Sequence, residues 1–119
     1  MIERAERMHR EFFRPGPHHE AEPVWEPPID IFETDTAVEI IIALPGVEPK
    51  DLAVELNSGE VVVSGYRGLP HFRRKTTIHR LEIPHGRFER RILMSEARLE
   101  LTRSELEGGC LRLVLAKRV

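Results

Sequence analysis

The strongest evidence for the fold in this sequence is Val38–Val47, VEIIIALPGV, together with residues 51–56, DLAVEL, which follow it. The β-branched, apolar first part predicts a strand, and the second run alternates polar and apolar residues with period two, which also predicts a strand. Between them, Pro45 fixes φ and Gly46 tolerates positive φ, so the chain is expected to turn there. The stretch therefore predicts two β-strands joined by a tight connection.

Short runs of strand character recur from Ile29 to the end of the chain. Turn residues separate them, among them Asn57-Ser58-Gly59 and Gly108-Gly109. The predicted strands are 29–33, 38–44, 52–56, 61–65, 88–93, 99–106 and 111–115. Short strands at this spacing predict an all-β fold, a β-sandwich.

The first 28 residues are predicted to form an N-terminal arm and linker. Residues 2–13 predict a short amphipathic helix, in which Met8, Phe12 and Phe13 fall near one apolar stripe. About twelve residues are marginal for an isolated helix, so this arm is expected to be helical only against a surface and otherwise disordered. Residues 14–28 contain five prolines, which predicts an extended linker.

The length of 119 residues suits one domain, and an apolar content of 40% is enough for a core. We divide the chain into the arm and linker (1–28), a globular domain (29–117) and a minimal tail (118–119). The net charge is −2, yet residues 30–60 are strongly acidic and residues 67–91 strongly basic. Such asymmetry serves nucleic-acid binding or the pairing of one half of a fold, or one subunit, with another.

Several function classes lack support in the sequence. A single cysteine, Cys110, gives no intrachain disulfide and no metal-ligand cluster. No phosphate-cradling glycine motif and no nucleophile with a base is present, so an enzyme is not favoured and no cofactor is expected. No apolar run reaches the length of a membrane span, and the N-terminus has no signal-peptide core, so a cytoplasmic location is expected.

Two weaker ideas concern histidines and the basic segment. The six histidines have no ligand spacing and are expected to be solvated, although His79 and His85 would give pH sensitivity in an interface. The run Phe72-Arg73-Arg74-Lys75 would suit RNA, but the net charge is negative and no pair of aromatic residues forms a stacking platform. Nucleic acid is therefore not expected as a partner.

The order of motifs resembles the α-crystallin domain of small heat-shock proteins over roughly residues 28–117. The segments that carry the resemblance are Asp30–Glu33, Leu44–Val47, Asp51-Leu52, Val61–Val63, Gly65-Tyr66-Arg67, Gly86–Arg90 and Gly109–Leu113. The resemblance implies an immunoglobulin-like sandwich of two antiparallel sheets. It also implies an ATP-independent holdase, which binds partly unfolded client proteins and prevents their aggregation.

The resemblance also implies a homodimer made by strand exchange. In the bacterial and plant type, a long segment carries an extra strand that pairs with the first strand of a partner subunit. Here that segment is 67–84, which is basic, whereas the strand it would meet opens the acidic segment. The resulting dimer-interface candidates are Ile29, Asp30, Ile31, Phe72, Ile78 and Arg90.

Other candidate residues have two interpretations each. Arg90 matches the family's interface arginine, and the alternative is a solvated arginine on a strand face. Met8, Phe12 and Phe13 are client-binding candidates because apolar side chains on a mobile arm adapt to many surfaces, but they also suit packing on the sandwich or on a sister arm. Trp25 is interpreted as a staple of the linker against the domain rather than as a binding residue.

The chain departs from the family pattern near its C-terminus. Family members usually carry an Ile-x-Ile motif in a C-terminal extension, which docks into a groove of a neighbouring dimer, and this chain has none. The strand expected to line that groove carries the polar residues Thr102 and Ser104. We therefore expect a dimer, or a small assembly held by the arm, rather than a large cage.

A second function remains compatible with the same fold. The missing C-terminal motif also suits an adaptor, such as a co-chaperone of the CS-domain type, or a partner that caps hetero-oligomers of longer relatives. The segment Gly86–Arg90 and the long segment 67–84 favour the small heat-shock protein over the co-chaperone.

Overall fold

The computed structural model describes residues 23–95 and 98–118. Over these residues it contains seven strands: β1 (Ile29–Glu33), β2 (Ala37–Ala43), β3 (Leu52–Asn57), β4 (Glu60–Arg67), β5 (Gly86–Leu93), β6 (Leu99–Glu107) and β7 (Cys110–Lys117). All seven strands predicted from the sequence are confirmed, with boundaries that differ by at most two residues. The predicted helix at 2–13 and the client-binding candidates Met8, Phe12 and Phe13 lie outside the described residues.

The strands form two antiparallel sheets. One has the order β1-β2-β7-β6 and the other the order β3-β4-β5. Alternate residues of β2 and β7 are buried, as expected for strands with one face against a core. The core between the sheets consists of Trp25, Val38, Ile40, Ile42, Leu44, Val47, Val61, Val63, Phe88, Ile92, Leu111, Leu113 and Leu115. The prediction of an all-β sandwich is confirmed.

The connection at Leu44–Val47 carries the chain from the first sheet to the second. The N–H of Val47 donates to the carbonyl of Leu44 at 3.2 Å, and Gly46 has a φ of +75°. The side chains at both ends of the turn are buried. A 3-10 helix at Pro49–Asp51 then leads into β3. The turn therefore needs apolar ends for the core and a glycine for its left-handed backbone.

Gly65 allows the backbone of β4 to approach its neighbours closely. A Cβ atom there would lie 2.1 Å from the carbonyl oxygen of Asp51 and 2.7 Å from Cζ of Phe88. Both distances are far inside van der Waals contact. The ring of Phe88 is fully buried and fills the space that a side chain at Gly65 would need.

Trp25 fastens the linker to the edge of β5. Its N–H donates to the carbonyl of Arg87 at 3.1 Å and its carbonyl accepts from the N–H of Glu89 at 3.1 Å, which makes a one-residue parallel bridge. The indole N–H donates to the carbonyl of Gly86 at 3.3 Å, and the ring centroids of Trp25 and Phe88 are 5.4 Å apart. Its interpretation as a staple is confirmed, and the packed domain begins before β1.

The bridge stops after one residue for a chemical reason. In a parallel ladder the next donor would be the N–H of residue 27, but Pro27 has none. The carbonyl of Pro27 instead accepts a bond from Nη1 of Arg90 at 3.3 Å, and that of Pro28 accepts from the N–H of Ala43 at 3.1 Å. The linker thus passes from the edge of β5 to the start of β1.

Candidate dimerisation surface

Strand β1 lies at the edge of the four-stranded sheet. The N–H of Thr34 donates to the carbonyl of Ala37 at 2.8 Å, so these two residues form a hydrogen-bonded pair at the end of the β1–β2 ladder. Because such pairs alternate along an antiparallel ladder, the backbone groups of Ile29, Ile31 and Glu33 point away from β2. They form an edge to which another strand can be added.

Apolar side chains are exposed on both faces of this edge. Ile31 is on the core-facing side, opposite the buried Ile40, but remains 48% exposed at the edge of the sheet. Phe32 points to the outer face and is 55% exposed. An edge strand with two exposed apolar side chains is a liability in a monomer, which argues for a covering partner.

The segment 68–85 joins β4 to β5 and contains no strand in the single chain. Residues 68–80 are all exposed, including Phe72 at 63% and Ile78 at 57%. The sequence predicted the segment as 67–84, whereas the structure places Arg67 at the end of β4. Eighteen residues without regular structure, carrying bulky apolar side chains in solvent, are unusual within a domain of this size.

Arg90 lies close to the beginning of the edge strand. It is half-buried, and its bond to the carbonyl of Pro27 holds it two residues before β1. Arg90 is thus bonded to the segment that leads into two other interface candidates, Ile29 and Asp30. Phe72 and Ile78 belong to the long segment. The interface roles of all six candidates remain predictions.

Ion pairs use part of the charge asymmetry within one chain. Glu39 of β2 pairs with Arg112 of β7, and its hydrogen bond and negative charge raise the pKa of Arg112 above its ordinary value. Glu60 and Glu89 both contact Arg91, and the hydrogen bond and charge of Glu89 raise the pKa of Arg91 in the same way. These pairs are exposed and contribute little to stability.

Other charges of the two segments are without such partners. Among the described residues, Asp30 on β1 and the three consecutive basic residues Arg73, Arg74 and Lys75 form no ion pair. The unpaired charges on the edge strand and on the long segment have opposite signs. They therefore suit a contact between these two elements of different subunits.

The strand expected to line a docking groove is β6, which is the other edge strand of the four-stranded sheet. A β-bulge follows Leu101, so Thr102 leaves the strand alternation and its hydroxyl donates to the carbonyl of Val114 at 3.2 Å. Ser104 pairs with the buried Leu113 and therefore shares the core-facing side of β6 with the partly buried Leu106. On the core-facing side of β6, Ser104 is therefore the polar residue between Leu101 and Leu106, and Thr102 does not share that side.

Two residues of the surface were missed by the sequence reasoning. Phe32 was quoted only as part of a motif, although its alternation with Ile31 already placed it on the second face of an edge strand. Arg67 was named only within a motif and as the first residue of the segment 67–84, whereas its side chain bonds to the carbonyls of Pro45 and Pro84, which are distant in the sequence. The signal for Phe32 was present in the chain, whereas no local pattern marks the partners of Arg67.

No membrane-spanning helix and no metal site is found in the described parts of the chain. None of the helices there is long and apolar enough to cross a bilayer. Within the same residues, no group of three or more histidine, cysteine or carboxylate side chains is placed to hold a metal ion.

A four-stranded and a three-stranded antiparallel sheet, with a long exposed segment between β4 and β5 and an uncovered first strand, define a β-sandwich of the α-crystallin type. The chain belongs to the Hsp20/alpha crystallin family, whose sequence model matches residues 30–119. This is the family that the motifs resembled, and membership supports a chaperone role.

Individual relatives agree with this assignment. The chain is 35% identical to the 16.9 kDa class I heat shock protein 1 of Triticum aestivum over 91 residues, covering 75% of this chain and 60% of the relative. It therefore spans about 60% of the length of the curated relatives it matches.

Solved structures show the same fold. Heat shock protein 16.0 from Schizosaccharomyces pombe superposes with a TM-score of 0.70 at 25% identity, covering 77% of this chain and 86% of that one. HspA from Xanthomonas axonopodis gives a TM-score of 0.69 at 24% identity, covering 81% of this chain and 97% of that one.

Proposed function

We propose that this protein is an ATP-independent chaperone that binds partly unfolded proteins and prevents their aggregation. The observation that carries the proposal is that the chain belongs to the Hsp20/alpha crystallin family and has its two-sheet fold. The apolar side chains exposed on β1 and on the segment 68–85 suit contact with a second subunit, and such a contact needs no shaped pocket and no cofactor. The proposed site of action is the cytoplasm.

The proposed working unit is a homodimer formed by strand exchange. The segment 68–85 of one subunit adds a strand to the free edge of β1 in the other, where the backbone groups of Ile29, Ile31 and Glu33 receive it. Phe72 and Ile78 then cover exposed apolar surface of the partner, and the basic run 73–75 lies near the acidic strand. Arg90 contributes beside the start of β1.

The proposed client-binding residues are Met8, Phe12 and Phe13 of the arm, which also holds small higher oligomers together. Trp25 supports this division of labour, because it fixes the linker that follows the arm to the sandwich.

The test is a heated client protein whose aggregation is followed by light scattering, with and without an equimolar amount of this protein. We expect suppression by the full chain and weaker suppression by a chain that lacks residues 1–22, a truncation that keeps Trp25 and the sandwich. An equal mass of an unrelated soluble protein is the control. If the full chain leaves the scattering curve unchanged, the holdase assignment is wrong.

A further inference from the structure

The segment 68–85 leaves the sandwich and returns to it at one pair of residues. Arg67 is the last residue of β4 and pairs with Gly86, the first residue of β5. The neck of the segment is therefore the final rung of a hydrogen-bonded ladder. The conformation of this rung decides in which direction the eighteen residues beyond it extend.

The side chain of Arg67 ties this neck to the rest of the molecule. Its Nε donates to the carbonyl of Pro45, in the turn between the two sheets, at 2.6 Å. Its Nη1 donates to the carbonyl of Pro84, near the return of the segment, at 3.3 Å. One guanidinium thus joins the end of β4, the turn after β2 and the last residues of the segment.

The geometry of the contact favours arginine over lysine. Two carbonyls on separate segments are met by two nitrogens held in one rigid plane, which the single ammonium group of lysine does not reproduce. Pro84 is buried, so removal of the guanidinium leaves its carbonyl without this donor. By contrast, bonds such as Thr76 to Arg74 and Arg80 to Glu82 lie within the segment and do not orient it.

We propose that Arg67 is a positioning residue that fixes the course of the segment 68–85 and thereby controls its pairing with a second copy of this chain. The second part rests on the strand-exchanged dimer proposed above. When Arg67 holds the neck, the segment extends in one direction, so it loses less conformational entropy when it associates with a second subunit. Without the tie, the same segment samples many directions and its association with β1 of a partner weakens.

The test compares Arg67→Ala and Arg67→Lys with wild type and with Arg103→Ala. Arg103 is an exposed arginine of β6, paired with Glu105 and remote from the neck, so it controls for the loss of one surface charge. The dimer dissociation constant is measured by sedimentation over a concentration series. Trypsin cleavage after Arg73, Arg74 and Lys75 is timed by mass spectrometry, and thermal unfolding is followed by circular dichroism.

We expect Arg67→Ala to raise the dissociation constant at least tenfold and to speed cleavage at 73–75 several-fold, with Arg67→Lys intermediate and Arg103→Ala unchanged. If Arg67→Ala does not fold, Arg67→Lys carries the comparison. An unchanged dissociation constant and cleavage rate in a folded variant would overturn the proposal. A wild-type protein of monomer mass would instead refute the dimer, and the cleavage rates would still decide whether Arg67 fixes the segment.

Discussion

Replacement of Trp25 by alanine is predicted to remove a large part of the stability of the sandwich. The side chain is 2% exposed and packs on Phe88, although it belongs to a linker that contributes one bridging residue to the sheet. Truncating a buried tryptophan to alanine costs about 3–5 kcal/mol through lost burial and the cavity that remains. The linker would then be held mainly by the two backbone hydrogen bonds of residue 25 to β5 and by the bond from Arg90 to the carbonyl of Pro27.

This loss is large relative to the total free energy of unfolding of the domain. A domain of this size has a free energy of unfolding of about 5–15 kcal/mol, and about 1 kcal/mol shifts its midpoint by roughly 4–8 °C. We therefore expect Trp25→Ala to lower the thermal midpoint by at least about 12 °C. Trp25→Phe keeps the contact with Phe88 but loses the hydrogen bond to the carbonyl of Gly86, so it should cost only about 1–2 kcal/mol.

The assays are thermal and urea denaturation followed by far-ultraviolet circular dichroism, because Trp25 is the only tryptophan and its fluorescence is lost in the variants. Protein concentration is held constant, since a dimer adds a mass-action term to apparent stability. Val24→Ala, at the exposed neighbouring position, should lie within about 0.5 kcal/mol of wild type. If Trp25→Ala lies within about 1 kcal/mol of wild type, the linker is not anchored as described.

Three further predictions test the core, the edge strand and the charges. Gly65→Ala should lower the free energy of unfolding in urea by about 1–3 kcal/mol or more, because the added Cβ would overlap Asp51 and Phe88. Gly68→Ala is the control and should be nearly neutral, since the nearest atom to its added Cβ is 3.6 Å away. Equal effects of the two substitutions would contradict the close approach at Gly65. Ile31→Asp should raise the dimer dissociation constant, measured by light scattering, at least tenfold. Leu93→Asp, at an 82% exposed site on β5, is the control and should leave the constant unchanged. A dimer unaffected by Ile31→Asp would exclude β1 as the interface. The pKa of Arg112 is raised in the folded state, so the stability that its pair with Glu39 contributes is present below the ordinary pKa of arginine and is lost only as pH rises through the higher folded value. The unfolding midpoints of wild type and Arg112→Met should therefore run parallel between pH 7 and pH 10. Midpoints that diverge over this range would refute the prediction.

The sequence predicted the strands well because their signals are local. Alternation in Asp51–Leu56 and the apolar run before Pro45 each report which face of one strand meets the core, and glycine or proline marks where each strand ends. The interface candidates were predicted less completely than the strands. The motif order and the charge asymmetry named the β1 edge and the segment 67–84, but neither reveals which backbone groups point outward.

The amino-acid sequence was sufficient to predict the all-β sandwich, the turn at Leu44–Val47 and the family, because periodicity, turn chemistry and motif order are local properties of the chain. The tertiary structure was needed for contacts between segments that are distant in the sequence. It placed Trp25 on β5, brought Arg67 to Pro45 and Pro84, and turned the backbone of Ile31 outward from the edge of β1. Such contacts have no local signature, since they arise only when the two sheets pack and a donor from one segment meets a carbonyl of another.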